Sequence, residues 1–277
     1  MRLSAIIERP LGLDLHDHAA WAFDGRSQLR AAIADFMSDG LAAGQRVVYV
    51  GPDDAGLTRL RGFDDALTRD HARLTRIGDM YPGGTVIDPD EQVAIFRAAT
   101  EEALADGFTG LRVAADSTSL VVTEEQRRAW VRYEYLIDRF MARHPMTGLC
   151  CFNQSVLGSD HLAEIECVHP VVNRADSQFR IYASPDPGLS GVLTGEIDPS
   201  NRTLFAHTLH TAELMIIDGA VVLDAEQVTF MDHRALAELG AYAAERDAKV
   251  VLYAPEESAV RTLARVLMVP GVRVMSR

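Results

Sequence analysis

The segment that most clearly indicates the class of fold is Arg46-Val47-Val48-Tyr49-Val50, which is followed by Gly51-Pro52. A short, continuous apolar run of this kind is typical of a buried strand in a parallel sheet. Before it, apolar residues recur at helical spacing over residues 27–43, and Gly44 gives that helix its end. A helix followed directly by a buried strand favours an α/β fold.

The same order of helix and strand recurs twice further along the chain. A helical stretch over residues 90–106 precedes the apolar run 110–115. Thr123 and Gln126 then have the spacing of a capping box, and the helix that they begin leads to the apolar run 147–152. This alternation predicts a mainly parallel sheet with helices on both faces.

The length of 277 residues favours two domains. After residues 169–172 the composition changes, and residues 184–191 contain two prolines and two glycines. An apolar run at residues 179–183 is expected to open a second sheet. We therefore predict one domain over residues 1–172 and a second α/β domain over residues 173–277.

Charge and hydropathy exclude several classes of partner. With 27 basic and 40 acidic residues, the formal charge of −13 repels nucleic-acid phosphates. No apolar run approaches the ~20 residues that cross a bilayer, and the N-terminus lacks a signal-peptide core, so we expect a cytoplasmic protein without membrane contact. Cys150, Cys151 and Cys167 are odd in number and are interpreted as core thiols.

The second half of the chain carries an ordered series of motifs. They are a Gly-Glu-hydrophobic-Asp turn, a buried strand that ends in Asp, a hydrophobic-Asp-x-x-x-Leu loop and a further strand, at residues 195–198, 220–224, 231–236 and 249–253. In a last helix, Val260, Leu263 and Leu267 are expected to face inward. Taken together, these residues resemble the STAS domain of anti-sigma-factor antagonists.

The STAS resemblance implies a surface that binds a protein partner, an anti-sigma factor or a related switch kinase. It assigns that surface to Asp198, Met231, Asp232, His233 and Arg234. In the family a Ser or Thr after the Asp is phosphorylated by the kinase, and phosphate adds negative charge at a helix N-terminus. Here His233 and Arg234 occupy those positions, so the usual switch is predicted to be absent. Asp232 also fits an N-cap of the following helix.

Other motifs, in the first half, resemble the MEDS sensory domain, which is related to RecA-like ATPases. They are His16-Asp17-His18, residues 110–113 and 132–134, Cys150-Cys151-Phe152 and His169-Pro170. One departure is the stretch 115–120, where the family has acidic and aromatic residues. The resemblance implies a RecA-like parallel sheet and a role in sensing.

Nucleotide hydrolysis in a RecA-like domain requires Gly-Lys-Ser/Thr before the first helix, because backbone N–H groups and the lysine hold the phosphates. At this place the chain has Asp24-Gly25-Arg26-Ser27, without the lysine. We therefore predict that ATP is not hydrolysed.

A ligand pocket is expected at the mouth of the sheet, outside the carboxyl ends of its strands. The candidates for its polar lining are His16, His18, Arg112, Glu134 and His169. To hold a metal, His16 and His18 would need His161, His169 or the cysteines as further ligands. Because no third ligand lies at metal spacing in the sequence, we predict no metal and no cofactor.

These observations predict a signalling regulator that acts by binding and is not an enzyme. The N-terminal domain is expected to sense a small molecule or another signal, and the C-terminal domain to bind the anti-sigma factor or switch kinase. The alternatives are a RecA-like nucleotide-binding protein or ATPase, and a structural subunit of a STAS stress-sensing assembly. Association as a homodimer stays open.

Overall fold

The computed structural model describes residues 4–59, 62–81, 86–174 and 176–276. The first sheet has seven strands in the order β1-β7-β2-β6-β5-β3-β4, and every pair is parallel. The strands are β1 (Ala5–Ile6), β2 (His18–Phe23), β3 (Arg46–Gly51), β4 (Ala72–Arg76), β5 (Leu111–Asp116), β6 (Met146–Asn153) and β7 (Val171–Val172). The prediction of a parallel sheet is confirmed.

Helices cover both faces of this sheet. They are α1 (Arg26–Ala42), α2 (Phe63–Thr68), α3 (Ile77–Met80), α4 (Pro89–Ala105), α5 (Glu124–Met141) and α6 (Gln154–Glu166). One face packs against α1 and α2 through Trp21 and Tyr49, and the other packs against α4, α5 and α6 through Val113 and Phe152. Alternate residues of each strand therefore belong to different cores.

The strongest local signal for α5 is its capping box. The Thr123 side chain accepts a hydrogen bond from Gln126 N, and the Gln126 side chain accepts one from Thr123 N. The apolar face of the helix, which includes Trp130 and Ile137, is buried against the first sheet. Local sequence and tertiary packing thus agree on where this helix begins and which side it buries.

The second sheet has five strands in the order β12-β11-β10-β9-β8. They are β8 (Phe179–Tyr182), β9 (Gly191–Ile197), β10 (Ala220–Met231), β11 (Lys249–Tyr253) and β12 (Val272–Met275). Only the pair β8 and β9 is antiparallel among the strand pairs of this sheet in the described residues. Its helices are α7 (Arg202–Ala212), α8 (His233–Ala244) and α9 (Ala259–Leu267).

Two details of the second sheet differ from the sequence interpretation. The strand predicted to end at Asp224 continues to Met231, because β10 keeps pairing with β9 across two register shifts. In α9, Val260 is buried and Leu263 packs against the core, but Leu267 is 40% exposed. Leu267 is the last residue of the helix, where the chain turns away through Met268 in the left-handed region.

The second core extends into the first sheet's helices. Val131 and Tyr135 of α5, and Cys167 and Val168 after α6, are buried in the same apolar cluster as Phe205 of α7. The two sheets thus share a continuous packed junction. No helix in the described part of the chain is both long enough and apolar enough to cross a membrane.

Candidate functional site

Four polar side chains meet inside the first domain. His18, Glu134, Cys150 and His169, named here the buried polar cluster, offer ligand-type atoms that all lie within 4.8 Å of one another. The structure therefore brings together three of the five predicted ligand residues, His18, Glu134 and His169, and adds Cys150. All four side chains are buried.

Strand register explains how two of these side chains meet. His18 on β2 pairs with Gly148, and Cys150 lies two residues further along β6, so the two side chains point to the same face of adjacent strands. A Cβ on Gly148 would stand 3.2 Å from the His18 ring and 3.1 Å from the sulfur of Met141. Glycine at position 148 therefore leaves room for the His18 imidazole.

Helices supply the other two members. Glu134 projects from α5, which lies across this face of the sheet, and His169 follows the end of α6. His18 is the first residue of β2, so the cluster lies near the amino end of that strand and beneath a helix. The sequence predicted a pocket at the carboxyl ends of the strands. The cluster lies elsewhere, because the His18 side chain projects from β2 towards the helices that cover the sheet.

The distances within the cluster are short. Glu134 Oε2 lies 3.1 Å from His18 Nε2, 3.4 Å from His169 Nε2 and 3.9 Å from Cys150 Sγ. His18 Nε2 lies 3.5 Å from Cys150 Sγ. One carboxylate oxygen is therefore shared by two imidazoles and a thiol.

Hydrogen bonds outside the cluster orient both imidazoles. His18 Nδ1 lies 3.0 Å from Asp138 Oδ1, and His169 Nδ1 donates to the Ile165 carbonyl over 2.9 Å. Because a carboxylate and a carbonyl accept hydrogen bonds, both Nδ1 atoms carry the proton. In each neutral ring the lone pair is then on Nε2, which faces Glu134.

The charges of the cluster are strongly coupled. Burial would raise the pKa of Glu134, but His169 and His18 outweigh it and hold that pKa well below its usual range. Burial, with Glu134 nearby, raises the pKa of the Cys150 thiol well above its ordinary value. Without a further positive charge, the arrangement favours an ionised Glu134 beside a protonated thiol.

Little space remains beside the cluster. The adjoining cavity, which His18, Cys150, Tyr133 and Met141 help to line, has a volume of about 10 Å³. A volume of this size accommodates roughly one water molecule. An organic ligand would need a rearrangement of α5 or its neighbours to enter.

The other two predicted ligand residues lie elsewhere. Arg112 is on the opposite face of the sheet, where its guanidinium stands over the Phe36 ring and donates to Gln45 and to the Leu13 carbonyl. Burial lowers its pKa to about 10. His16 is half-buried outside the cluster, with Nδ1 2.8 Å from the Met141 carbonyl. Neither residue contributes to the cluster.

The structure also describes the start of the first helix, where a phosphate-binding motif would lie in a RecA-like ATPase. Arg26 is the first residue of α1, and its guanidinium donates to both oxygens of Asp53 over 2.7 Å. Arg26, Arg30 and Arg59 help to line an open cavity of about 340 Å³. The arginine at the start of the helix is therefore already paired with a carboxylate.

The predicted partner surface lies at one end of the second sheet. Asp232 caps α8, with Oδ1 accepting from Ala235 N over 2.7 Å, and its Oδ2 accepts from Arg202 over 3.0 Å. His233 and Arg234 are exposed, whereas Met231 is buried. Residues 231–234 are named here the capping turn.

Asp198 belongs to the neighbouring turn, where it accepts hydrogen bonds from the backbone and the hydroxyl of Ser200. The two turns are in contact, since Asp232 N donates to the Ile197 carbonyl. Thr229 is on β10 and donates to the Gly195 carbonyl. Four of the five predicted partner residues thus present polar groups at one end of the sheet.

Asp138 is a functional candidate that the sequence interpretation missed. It is buried on α5, one turn from Glu134, and its Oδ2 accepts a hydrogen bond from Ala183 N of the second domain over 2.7 Å. A signal was present, because Glu134 and Asp138 are spaced i, i+4 and share a face of α5 that also carries apolar residues.

Comparison with known proteins adds one match. A family model described as MEDS, MEthanogen/methylotroph, DcmR Sensory domain, matches residues 17–170, which is more than half of the chain. The matched range contains every member of the buried polar cluster and Asp138. No curated protein matches the chain.

Proposed function

The chain belongs to the MEDS family of sensory domains, and from this membership we propose that it is a regulator in which the first domain senses a signal and the second binds a protein partner. The second domain is proposed to be a STAS domain of the anti-sigma-factor-antagonist type. The partner is proposed to be an anti-sigma factor or a related switch kinase. The protein is proposed to act by binding and not by catalysis.

The strand order of the second domain supports the STAS proposal. One antiparallel pair, β8 and β9, is followed by parallel β10, β11 and β12. The Gly-Glu-Ile-Asp segment ends β9 and enters the turn before α7, and the capping turn joins the end of β10 to the first two residues of α8. These are the places at which the motifs of the resemblance would have to lie.

The observation that carries the signalling proposal is that α5 belongs to both domains. Glu134 reaches the buried polar cluster, while Tyr135, the next residue, is buried in the second domain's core. Tyr135 donates to the Ser190 carbonyl over 2.7 Å and accepts from Met215 N over 3.0 Å. A shift of α5 in response to a signal would therefore move groups in both domains.

Two further contacts make this junction polar and specific. Arg132 donates to the Ala212 and Glu213 carbonyls over 2.6 Å each, at the C-terminal end of α7 where a cation is favoured. Asp138 joins His18 on one side to Ala183 on the other. Helix α7 begins beside the capping turn, since Arg202 binds Asp232.

The proposed mechanism is a population shift. A signal that binds one position of α5 more tightly than another changes the packing of α7 and the accessibility of the capping turn. Control of this kind requires no phosphorylated hydroxyl at the turn, where the chain has His233 and Arg234. The exposed side chains of His233 and Arg234 then determine which surface charge on the partner favours binding.

The proposal is tested by titrating the full chain with each purified anti-sigma kinase of its own genome in a calorimeter. We expect saturable binding to at least one, and Arg234→Glu should weaken it by about tenfold or more, which corresponds to about 1.4 kcal/mol. Arg128→Glu, at an exposed position of α5, is the matched control and should leave the affinity within about twofold. Absence of binding, or equal losses in both variants, would contradict the proposal.

A nucleotide-binding role is the second candidate, because Arg26, Arg30 and Arg59 line the open cavity at the start of α1. Cations and a helix N-terminus both attract phosphate. The pairing of Arg26 with Asp53 opposes it. Saturable heat on titration with ATP and Mg²⁺, lost in Arg30→Glu, would favour this role over partner binding.

A further inference from the structure

We propose that His18, Glu134, Cys150 and His169 form a closed site for one Zn²⁺ ion. The site rests on the geometry of the buried polar cluster and is independent of the proposed partner of the second domain. It replaces the sequence-based expectation that no metal is bound.

The spacing of the cluster matches the coordination of zinc. Zinc binds nitrogen and oxygen at about 2.0–2.2 Å and sulfur at about 2.3 Å in a tetrahedron, so that ligand atoms stand roughly 3.3–3.8 Å apart. The distances between Glu134 Oε2 and its neighbours are 3.1 Å to His18, 3.4 Å to His169 and 3.9 Å to Cys150. His18 Nε2 lies 3.5 Å from Cys150 Sγ. The four ligand-type atoms lie within 4.8 Å of one another, so a central cation would draw the widest-spaced of them inwards.

The orientation of the imidazoles supplies the second argument. With Nδ1 of His18 directed to Asp138 and Nδ1 of His169 bound to the Ile165 carbonyl, Nε2 of both rings faces the Glu134 oxygen. Lone pairs that face a carboxylate repel it unless a proton or a cation stands between them. The hydrogen bonds of the two Nδ1 atoms are those that orient histidine ligands in metal sites, one to a carboxylate and one to a backbone carbonyl.

Two buried polar atoms of the cluster residues support the same assignment. Within the described residues, Glu134 Oε1 accepts no hydrogen bond, and His169 Nε2 lies 3.4 Å from Glu134 Oε2 without the geometry of one, although both residues are 0% exposed. An unpartnered polar atom in a protein interior is costly, and a buried charge more so. A divalent cation would give lone pairs of Glu134 and His169 a partner.

The ligand set selects the class of ion. Two imidazoles, one carboxylate and one thiolate suit Zn²⁺, whereas Mg²⁺ and Ca²⁺ require mainly oxygen ligands. The ionised Glu134 and the Cys150 thiolate together neutralise a divalent charge. Four buried protein ligands describe a structural site, because catalytic zinc keeps one position open.

The ligands come from distant parts of the chain. His18 is on β2, Glu134 on α5, Cys150 on β6, and His169 follows α6. One ion would therefore tie two strands to two helices. Because Asp138 contacts both His18 and Ala183, the ion would also stiffen the junction with the second domain.

The test begins with the full, tag-free chain refolded without metal and titrated with Co²⁺, a spectroscopic substitute for Zn²⁺. We expect about one equivalent to bind, with the absorption of a tetrahedral ion and a thiolate charge-transfer band in the near ultraviolet. Zn²⁺ should then displace Co²⁺ and remove both signals. Failure of the chain to take up Co²⁺ or Zn²⁺ would overturn the proposal, because a protonated His–Glu pair would then explain the cluster.

Neighbouring cysteines provide a matched pair of variants. Cys150→Ser should abolish the charge-transfer band and weaken binding at least about tenfold. Cys151→Ser should leave both unchanged, because Cys151 is also buried but points to the opposite face of the sheet. A band that survives in Cys150→Ser, or is lost in Cys151→Ser, would contradict the assignment.

His169→Gln keeps the test decisive if Cys150→Ser fails to fold. It should bind Co²⁺ at least about tenfold more weakly than the wild type while retaining the thiolate band at saturation. Unchanged affinity in this variant would remove His169 from the site and overturn the four-ligand proposal.

Discussion

The buried polar cluster and the capping turn contain similar residue types in opposite surroundings. In the cluster, His18 and Glu134 are enclosed by helices and their charges depend on each other. In the turn, His233 and Arg234 are exposed, and Asp232 is held as the cap of α8. The same chemistry is therefore fixed by packing in one place and available to a partner in the other. Substitutions should change stability at the first and binding at the second.

Substitution of Asp138 should have the largest effect on stability and so tests this contrast. Asp138→Ala removes the acceptor of His18 Nδ1 and of Ala183 N in a fully buried setting. We expect the free energy of unfolding to fall by about 3–5 kcal/mol, because buried donors lose a charged partner. Urea denaturation measures it, with Asp160→Ala on the exposed side of α6 as control. A loss below about 1 kcal/mol would mean that the cluster is not fixed by packing.

Buried Glu166 should make the stability of the protein depend on pH. Burial, and then Asp176, raise its pKa to about 7 from an ordinary value of 4.5. The unfolded state therefore loses the proton first, and stability is lost as pH rises between these two values. Glu166→Gln should cancel a penalty of up to about 3 kcal/mol at pH 8 and change little at pH 4. The comparison is the difference in unfolding free energy between variant and wild type at both pH values. An equal difference at both would show that Glu166 ionises freely.

The junction between the two domains gives an intermediate effect. Tyr135→Phe removes the hydroxyl that contacts Ser190 and Met215 of the second domain. We expect a loss of about 1–3 kcal/mol, since the Ser190 carbonyl and the part-buried Met215 N–H each lose a hydrogen bond. Thermal unfolding measures the loss. Tyr253→Phe, on the half-buried β11, is the control and should stay within about 0.5 kcal/mol.

Substitution of His233 should have the smallest effect on stability. His233→Ala should change the unfolding free energy by less than about 0.5 kcal/mol, because the side chain is exposed and lies outside the core. Chemical denaturation of the wild type and the variant measures this difference in unfolding free energy. A loss above about 1 kcal/mol would show that the capping turn is part of the packed structure and would weaken its assignment as a binding surface.

Local signals predicted most of the fold because local and tertiary preferences agree. The apolar run of β3 is buried at every position, and the capping box of α5 forms both of its hydrogen bonds. The end of β10 was predicted wrongly, because pairing with β9 extends the strand beyond Asp224. The exposure of Leu267 depends on the turn after α9, which helical spacing alone does not define.

The cluster was predicted only in part, since its members are distant in sequence. Strand alternation places Cys150 towards α5 and Cys151 towards α1, but adjacent cysteines in an apolar run look alike. Alternation on β5 likewise puts Arg112 on the face opposite His18. Only the crossing of α5 over β2 and β6 joins Glu134 to His18 and Cys150.

Amide hydrogen exchange on the full chain, wild type against Asp138→Asn, tests the central claim that α5 links the first domain to the capping turn. We expect faster exchange at Ala183 and at the Ala235 amide that Asp232 caps, although Ala235 lies in the second domain far along the chain from the substitution. Faster exchange confined to residues 17–170, with an unchanged Ala235, would contradict it.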